Sequence, residues 1–260
     1  RWAMGFDISE IFYSYGTRCA IDGVSLSLVP GRFYAVIGPN GSGKTTLMDL
    51  MCRHKSPDSG SIFLNSRALD HYSSRALARQ VALVPQEYRV NFPYTAKEVV
   101  AMARYPHLPR FSAPTAEDLE VVRRAMAECK AENLADRFMT ELSGGEKQRI
   151  VFARALAQQT PVLLLDEPCA NLDIRHGLGL LESAAKRVRT QNITVAAVMH
   201  DINLALRYAD DLILMDQGRI VSNGPVENTL ERGVLKQIFC VDARIRTDSA
   251  INAPQVTFVG

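Results

Sequence analysis

The sequence GPNGSGKT occupies residues 38–45 and fits the phosphate-binding pattern G-x-x-x-x-G-K-[ST]. An apolar run ends before it at Ile37, and the residues from Lys44 to Met51 favour a helix. Glycines let the backbone wrap around a phosphate, and the N-terminus of a following helix carries a partial positive charge. The sequence therefore predicts a loop that binds a nucleoside triphosphate, formed by Gly38, Pro39, Asn40, Gly41, Ser42, Gly43, Lys44 and Thr45.

Two side chains at the end of this loop add charge and metal coordination. Lys44 carries a full positive charge, and the hydroxyl of Thr45 can complete an octahedral Mg²⁺ shell that phosphate oxygens and water otherwise fill. The alternative is a glycine-rich turn that fits the pattern by accident, which the flanking strand and helix patterns disfavour. We therefore expect Mg²⁺ to accompany the nucleotide.

The pattern around the loop indicates an α/β fold. Val24, Leu26 and Leu28 alternate with serines, as in a strand with one exposed face, and predict an N-terminal antiparallel β part. Later strand and helix patterns alternate, which predicts a mainly parallel sheet. The strand runs lie at 81–84, 162–165, 194–199 and 212–215, with a tight turn at 216–218, and the later helical patterns lie at 117–132 and 146–157.

The chain is expected to be one domain, residues 1–260, with an insertion. Residues 87–159 break the alternation because they are rich in proline up to Pro114 and helical afterwards. We interpret them as a helical subdomain inserted between two parts of the core, residues 1–86 and 160–240. A short C-terminal tail is expected at 241–260.

Composition excludes several classes of protein. With 260 residues, 47% of them hydrophobic, the chain is not disordered, and its net charge of +2 provides no field for nucleic acid. The five cysteines form no Cys-x-x-Cys pair, which fits a reducing cytosol. No apolar run approaches the ~20 residues of a membrane span, and nothing at the start indicates secretion. The first residue is not methionine, which suggests a trimmed or recombinant start.

Two carboxylates follow a buried strand pattern. The run at 162–165 is followed by Asp166 and Glu167, and ligands of parallel sheets bind at the carboxyl ends of the strands. Asp166 could hold Mg²⁺, directly or through water, and Glu167 could orient or deprotonate an attacking water. The alternative is a solvated strand end, which the phosphate loop in the same chain disfavours.

A serine-glycine turn begins the helical pattern at 146–157. Ser143 and Glu146 have the spacing of a capping box. A cap does not explain Gly144 and Gly145, which each cost a helix about 1 kcal/mol and permit close approach to a ligand. We infer a second anion-binding helix start, and since one nucleotide cannot easily use both starts, it points to a partner's nucleotide.

With these motifs in order, the sequence resembles the nucleotide-binding subunits of ATP-binding cassette (ABC) transporters over essentially its whole length. The resemblance implies a RecA-like P-loop NTPase core. The motif equivalents are residues 38–46 for the Walker A loop, Gln86 for the Q-loop glutamine, 142–146 for the signature, 162–167 for Walker B, Asn171 to Asp173 for the D-loop and His200 for the switch histidine.

The resemblance also implies what these residues do. The ATP ligands are then Tyr15, which stacks on adenine, and residues 38–46 including Thr46; the Mg²⁺ ligands are Thr45, Gln86 and Asp166; and the catalytic residues are Lys44, Glu167 and His200. Taken alone, Tyr15 fits an edge strand and His200 a structural histidine. Cys169-Ala170 departs from the family pattern, which usually has Thr and Ser-like residues before the D-loop of Asp173.

The family architecture implies partners. Two subunits pack head to tail, so that Ser143, Gly144, Gly145 and Glu146 of one close over the ATP held by Lys44 of the other. Integral membrane permease subunits and, indirectly, a substrate-binding protein complete the assembly. The chain would then be peripheral, at the cytoplasmic face of the cell membrane, with no nucleic-acid partner.

A further resemblance concerns the cargo. Residues 92–95, 98–100, 104–107 and 173–176 resemble those of importers of iron-siderophore, heme and cobalamin. Alternatively, 104–107 form a loop without cargo information, and the ATPase serves another cargo or an exporter. A small-molecule kinase would not explain 142–146, a regulatory GTPase would need an Asn-Lys-x-Asp motif that is absent, and an ATPase of DNA repair or ribosomes would usually add a coiled coil or a second cassette.

Overall fold

A computed structural model of the chain describes residues 5–88, 92–110, 112–170, 172–249 and 253–259. The strands are, in chain order, β1 (Phe6–Tyr15), β2 (Arg18–Leu28), β3 (Phe33–Ile37), β4 (Ser59–Leu64), β5 (Arg67–Ala68), β6 (Val81–Val84), β7 (Val162–Asp166), β8 (Thr194–Val198), β9 (Asp211–Asp216), β10 (Arg219–Pro225), β11 (Asp242–Asp248) and β12 (Ala253–Val259). The α-helices are α1 (Lys44–Met51), α2 (Ser74–Leu77), α3 (Ala96–Ala101), α4 (Ala116–Glu128), α5 (Gly144–Ala157), α6 (Ile174–Gln191), α7 (Ile202–Tyr208), α8 (Val226–Thr229) and α9 (Arg232–Phe239).

A six-stranded sheet in the order β10-β9-β3-β8-β7-β6 forms the centre of the fold. Strands β9, β3, β8, β7 and β6 run parallel to their neighbours in that row, and β10 alone pairs antiparallel, with β9. The tight turn predicted between β9 and β10 is confirmed, with left-handed backbone at Gln217 (φ 45) and Gly218 (φ 80). The mainly parallel α/β fold is thus confirmed, and the carboxyl ends of β3, β6, β7 and β8 meet at one edge.

The N-terminal antiparallel part is confirmed as a four-stranded sheet in the order β2-β1-β4-β5. Along the end of β2, Val24, Leu26 and Leu28 are buried while the serines between them are exposed, as their alternation predicts. The buried faces of this sheet and of the parallel sheet share one apolar cluster with α1. Helix α1, which follows the phosphate loop, is therefore held between two sheets.

Helices α3, α4 and α5 lie between β6 and β7 in the chain and pack against one another. Helix α4 is shorter than the predicted pattern at 117–132: it ends at Glu128, and Lys130 has a left-handed φ of 53 that a helix cannot continue through. The chain then turns so that Ala131 and Leu134 enter the core. The boundaries 87–159 for an inserted subdomain remain a prediction.

The C-terminal residues form a hairpin of β11 and β12. Val256 of β12 is buried, and its backbone exchanges two hydrogen bonds with the side-chain amide of Asn203 in α7, at 2.7 and 3.0 Å. Within the segment expected to be a tail, residues 253–259 are thus packed on α7, and residues 242–248 pack against α9. Among the described residues, no helix is long and apolar enough to span a membrane.

Candidate nucleotide-binding site

The loop between β3 and α1 depends on glycine at two positions. Gly43, the residue before α1, has a φ of 100, and a Cβ there would lie 2.5 Å from the carbonyl oxygen of Ala20. A Cβ at Gly38 would collide with the carbonyl oxygen of Met215. Larger residues would push the loop off its neighbours, so the spacing of the two glycines sets the shape of the loop.

Lys44 lies beneath this loop, with only 5% of its surface exposed. Its Nζ donates hydrogen bonds to the carbonyl oxygens of Gly38 and Pro39, each at 2.8 Å. Burial lowers the pKa of Lys44, and the carboxylates of Glu167 and Asp166 oppose that shift. Two loop carbonyls therefore fix the amine of Lys44 beneath the loop, where it also lies 3.5 Å from Ser42 Oγ.

Asp166, the last residue of β7, lies beside Thr45, the second residue of α1. The hydroxyl of Thr45 donates to Asp166 Oδ1 over 3.3 Å, and the carboxyl group is almost fully buried. Burial raises the pKa of Asp166 to about 6. A hydroxyl and a carboxylate are oxygen ligands that Mg²⁺ prefers, so the two residues fit a shared ion.

Glu167 connects three strand ends. Its backbone has a left-handed φ of 50, and its N–H donates to the carbonyl oxygen of Val198 in β8 over 3.2 Å. One carboxylate oxygen accepts from Gln86 Nε2 at 2.8 Å, and the other lies 2.5 Å from His200 Nε2. The side chains of Gln86, Glu167 and His200, which sequence analysis placed after β6, β7 and β8, are thus in direct contact.

These groups surround a cleft of about 410 Å³. A larger groove of about 570 Å³ between the two sheets contains none of the predicted site residues. Tyr15 is 48% exposed at the cleft wall, and its hydroxyl lies 3.4 Å from that of Thr46. The residues that line the cleft are Tyr15, Arg18, Ala20, Asn40, Gly41, Gly43, Lys44, Thr45, Thr46, Gln86, Glu167 and His200.

Four predicted residues shape the cleft without lining it. Gly38, Pro39 and Ser42 belong to the underside of the loop: Ser42 N–H donates to the Pro39 carbonyl oxygen, and Gly218 N–H donates to the Ser42 carbonyl oxygen, at 3.2 and 3.1 Å. Asp166 accepts a hydrogen bond from Thr45, which does line the cleft. The first three residues therefore help to hold the loop in place, and Asp166 lies behind Thr45, where the two can share an ion.

The second predicted helix start lies outside the cleft. Ser143 and Glu146 form the expected capping box: Ser143 Oγ accepts from Glu146 N–H at 3.3 Å, and Glu146 Oε2 accepts from Ser143 N–H at 2.9 Å. Ser143 and Gly144 are exposed, and Gly145 is half-buried. None of residues 143–146 lines the cleft of the same chain.

Asp173 also lies apart from the cleft, as the cap of α6. Its carboxylate accepts from the backbone N–H of His176 at 2.9 Å and lies 2.7 Å from that residue's Nδ1. These contacts lower the pKa of Asp173. The side chain is 64% exposed, whereas Asn171 lies outside the described residues.

Sequence analysis missed three residues at or near the site. Arg18 and Ala20 line the cleft because β1 and β2 form a hairpin beside the loop. The buried amide of Gln148 in α5 donates to the carbonyl oxygen of Pro168 over 3.2 Å, next to Glu167. A strand pairing deduced for Tyr15 would have found Arg18, but nothing near Gln148 in sequence indicates its contact.

Comparisons with known proteins agree with this geometry. The sequence model of the ABC transporter family matches residues 21–170. The cobalamin import ATP-binding protein BtuD of Halobacterium salinarum is 40% identical over 242 residues, 93% of this chain but only 60% of that protein. The ferric enterobactin transport ATP-binding protein FepC of Escherichia coli is 36% identical over 251 residues, 96% of this chain and 93% of FepC.

Solved structures share the fold. A chain of an inward-facing ABC transporter, assigned in its description to the metal-chelate type, has a TM-score of 0.84 at 26% identity, covering 100% of this chain and 98% of that one. A dimeric bacterial ABC transporter cassette has a TM-score of 0.79 at 24% identity, covering 85% and 98%. At that identity the second likeness concerns the fold alone.

Proposed function

This chain belongs to the ABC transporter family, and from that premise we propose that it binds and hydrolyses ATP to power a membrane importer of a metal chelate. The observation that carries the proposal is the contact of Glu167 with both Gln86 and His200 above the phosphate loop. Import is supported by relatives named for cobalamin import and hemin import, each 40% identical, and the chelate cargo also by one named for ferric enterobactin transport, 36% identical.

The cleft supplies the groups that ATP needs. Tyr15 stacks on the adenine, residues 38–46 enclose the phosphates, and Lys44 contacts the terminal ones. Thr45, Asp166 and Gln86 would hold Mg²⁺, which when bound supplies positive charge that neutralises the phosphate oxygens. The hydrogen bond from Thr45 to Asp166, over 3.3 Å, places two of these oxygen ligands side by side and supports this ligand set.

Glu167 is positioned to act on the attacking water. The left-handed backbone at Glu167 turns its carboxylate from the end of β7 towards the cleft, where 14% of the side chain is exposed. Gln86 and His200 each contact one of its oxygens, which fixes the carboxylate and lets either neighbour contact the water or the phosphate as well. A general base at this position contributes about 10²- to 10⁴-fold to the rate.

A second copy completes the site in our proposal. Residues 143–146 are placed outside the cleft of their own chain, with Ser143 and Gly144 exposed. In a head-to-tail dimer they would cover the ATP of the other subunit, and Asp173 would lie at the same interface. The dimeric cassette of like fold supports the arrangement.

Outside the dimer, the proposed partners are integral membrane permease subunits and, through them, a substrate-binding protein. The chain would work as a peripheral subunit at the cytoplasmic face of the cell membrane. The names of the import relatives support these partners and this location. Transport of another cargo, or export instead of import, would be a contrary result of the transport test below.

The role of Glu167 can be tested with Glu167→Gln. We expect ATP turnover to fall about 10²- to 10⁴-fold, with ATP binding retained and an ATP-dependent dimer that persists on size-exclusion chromatography. Glu227→Gln, at an exposed glutamate outside the cleft, is the matched control and should keep normal turnover. Wild-type hydrolysis by Glu167→Gln would refute the assigned role.

The cargo class can be tested in proteoliposomes that contain the chain with its co-purified membrane subunits. ATP-dependent uptake of a ferric siderophore, hemin or cobalamin is expected, and it should require the cognate substrate-binding protein. Uptake of an unrelated solute only, or efflux of all three chelates, would contradict the proposed cargo while leaving the ATPase activity intact.

A further inference from the structure

Arg18 is a cation at the mouth of the cleft that no sequence motif singles out. We propose that Arg18 binds the phosphate chain of ATP and ADP, as a nucleotide ligand in addition to residues 38–46. This inference rests on the proposed function, because it assigns one more residue to the same nucleotide. Its support comes from the position of the side chain and from its free charge.

The β1–β2 hairpin fixes the position of Arg18. The two strands are joined by a turn at Gly16 and Thr17, with a φ of 60 at Gly16, and Tyr15 and Arg18 are directly paired across it. Residues directly opposite each other in an antiparallel pair share one face of the sheet. Arg18 therefore lines the cleft on the same side as Tyr15.

The guanidinium group reaches the phosphate loop. A Cβ placed on Gly41 would lie 3.2 Å from Nη2 of Arg18, so the terminal nitrogen lies against the exposed side of the loop. Gly41 itself has a left-handed φ of 80 and leaves its backbone open to the cleft. Arg18 thus lies against the loop at exposed Gly41, whereas buried Lys44 contacts the carbonyls of Gly38 and Pro39.

The charge of Arg18 is not balanced by the protein. Among the described residues, no ion pair or hydrogen bond involves its side chain. Lys44, by contrast, already donates two hydrogen bonds to loop carbonyls. A guanidinium offers five donors in a planar fork that fits phosphate oxygens, so a nucleotide polyanion is the partner that this position suits.

The order of groups along the cleft indicates which phosphates are involved. Tyr15, the proposed adenine contact, is paired with Arg18, whereas Glu167 is in contact with Gln86 and His200. Arg18 lies beside Tyr15 and Gly41, and we therefore assign it to the phosphates nearest the adenosine. ATP and ADP share those phosphates, whereas adenosine lacks them. Removal of the charge should therefore weaken both nucleotides and spare adenosine.

The test is calorimetric titration of the purified chain with ATP, ADP and adenosine. For Arg18→Gln we expect ATP and ADP to bind about tenfold more weakly, adenosine to bind as in the wild type, and the salt dependence of ADP binding to decrease. Arg18→Lys should recover part of the loss. The matched control is Arg232→Gln, at an exposed arginine outside the cleft, which should bind all three as the wild type does.

Three outcomes would overturn the inference. If Arg18→Gln binds ADP as the wild type does, Arg18 is a solvent-exposed side chain that does not contact the nucleotide. If ADP binding is unchanged but ATP-driven dimerisation is impaired, Arg18 belongs to a subunit interface instead. An equal loss for adenosine would mean that Arg18 only supports Tyr15. If the wild type itself binds neither nucleotide, the proposed function fails first, which separates the two failures.

Discussion

The two glycine-containing helix starts of this molecule, at α1 and α5, differ in how their backbone N–H groups are satisfied. Helix α1 follows Gly43, which has no side chain to cap it. Helix α5 follows Ser143, which forms a reciprocal capping box with Glu146. The first start leaves its N–H groups available to a ligand inside the chain, whereas the second is stable before any ligand arrives.

Their surroundings differ in the same sense. The start of α1 is enclosed by β2, the β9–β10 turn and buried Lys44, so that it forms a cleft within one chain. The start of α5 is exposed and lines no part of that cleft. One anion-binding end is therefore built to hold a nucleotide, and the other is built to be presented to a second copy, as we propose.

The sharpest test of this difference compares alanine at the two starts. Gly43→Ala should weaken ADP binding by about 100-fold or more, because φ 100 is strained for alanine and its Cβ would meet the Ala20 carbonyl. Gly144→Ala, at the first residue of α5, should leave ADP binding unchanged. Titration calorimetry measures both, and equal losses would show that the two starts do not differ in this way.

A bulky charge at the second start should disrupt dimerisation without affecting the cleft. Ser143→Arg is expected to weaken ATP-dependent dimerisation at least about 30-fold and to lower ATPase activity with it. Binding of ADP to the monomer should be retained, because Ser143 does not line the cleft. Sedimentation with and without ATP gives the readout. Thr115→Arg at the capped start of α4 is the control, and normal dimerisation by Ser143→Arg would contradict the head-to-tail arrangement.

Removal of the cap of α5 should lower the stability of the fold and, as a separate effect, the ATPase activity. Ser143→Ala should lower the free energy of unfolding by about 1 kcal/mol, since it removes the acceptor for the N–H of Glu146. Thr115→Ala removes the same kind of cap from α4 and should cost about as much. Urea unfolding compares the two, and only Ser143→Ala should also reduce ATPase activity. If the two variants had equal ATPase activity, Ser143 would act only as a structural cap.

The smallest expected effect is a pH dependence of the α5 start. Hydrogen bonds from Ser143 hold the pKa of Glu146 below its ordinary value of 4.5. The carboxylate therefore stabilises the fold above pH 4.5, and this contribution disappears as the pH falls through the lowered pKa. Glu146→Gln keeps an accepting oxygen, so it should be slightly less stable than the wild type at neutral pH and equally stable in acid. A gap that persists in acid would exclude the charge as its cause.

Much of the fold follows from local sequence patterns. The alternation at the end of β2 identifies a strand with one exposed face, and the apolar run of β7 identifies a buried strand. In both strands the apolar positions are those that the fold buries. The residue at which α4 ends cannot be predicted from such patterns, because the left-handed backbone of Lys130 depends on the packing of the next turn. The β11–β12 hairpin was also not predicted, because Asn203 anchors it from 53 residues away.

The candidate site likewise contains residues that can be predicted from the sequence and residues that cannot. Residues 38–45 and Asp166 with Glu167 were predicted because a phosphate and a metal require particular residue types at short spacing. Arg18 and Gln148 were not, since their contacts join strands and helices that are distant in sequence. The roles of Gln86, His200 and Tyr15 came from family resemblance, and the structure adds that all three line one cleft.

The position of β3 in the sheet has a consequence for synthesis on the ribosome. Strand β3 carries the phosphate loop near the N-terminus, yet its neighbours are β8 and β9, and the loop itself rests on Met215 and Gly218. A nascent chain therefore has the motif long before it has the cleft. Because a ligand stabilises only the state that binds it, cellular ATP can protect this protein only after residues near 218 have emerged and folded.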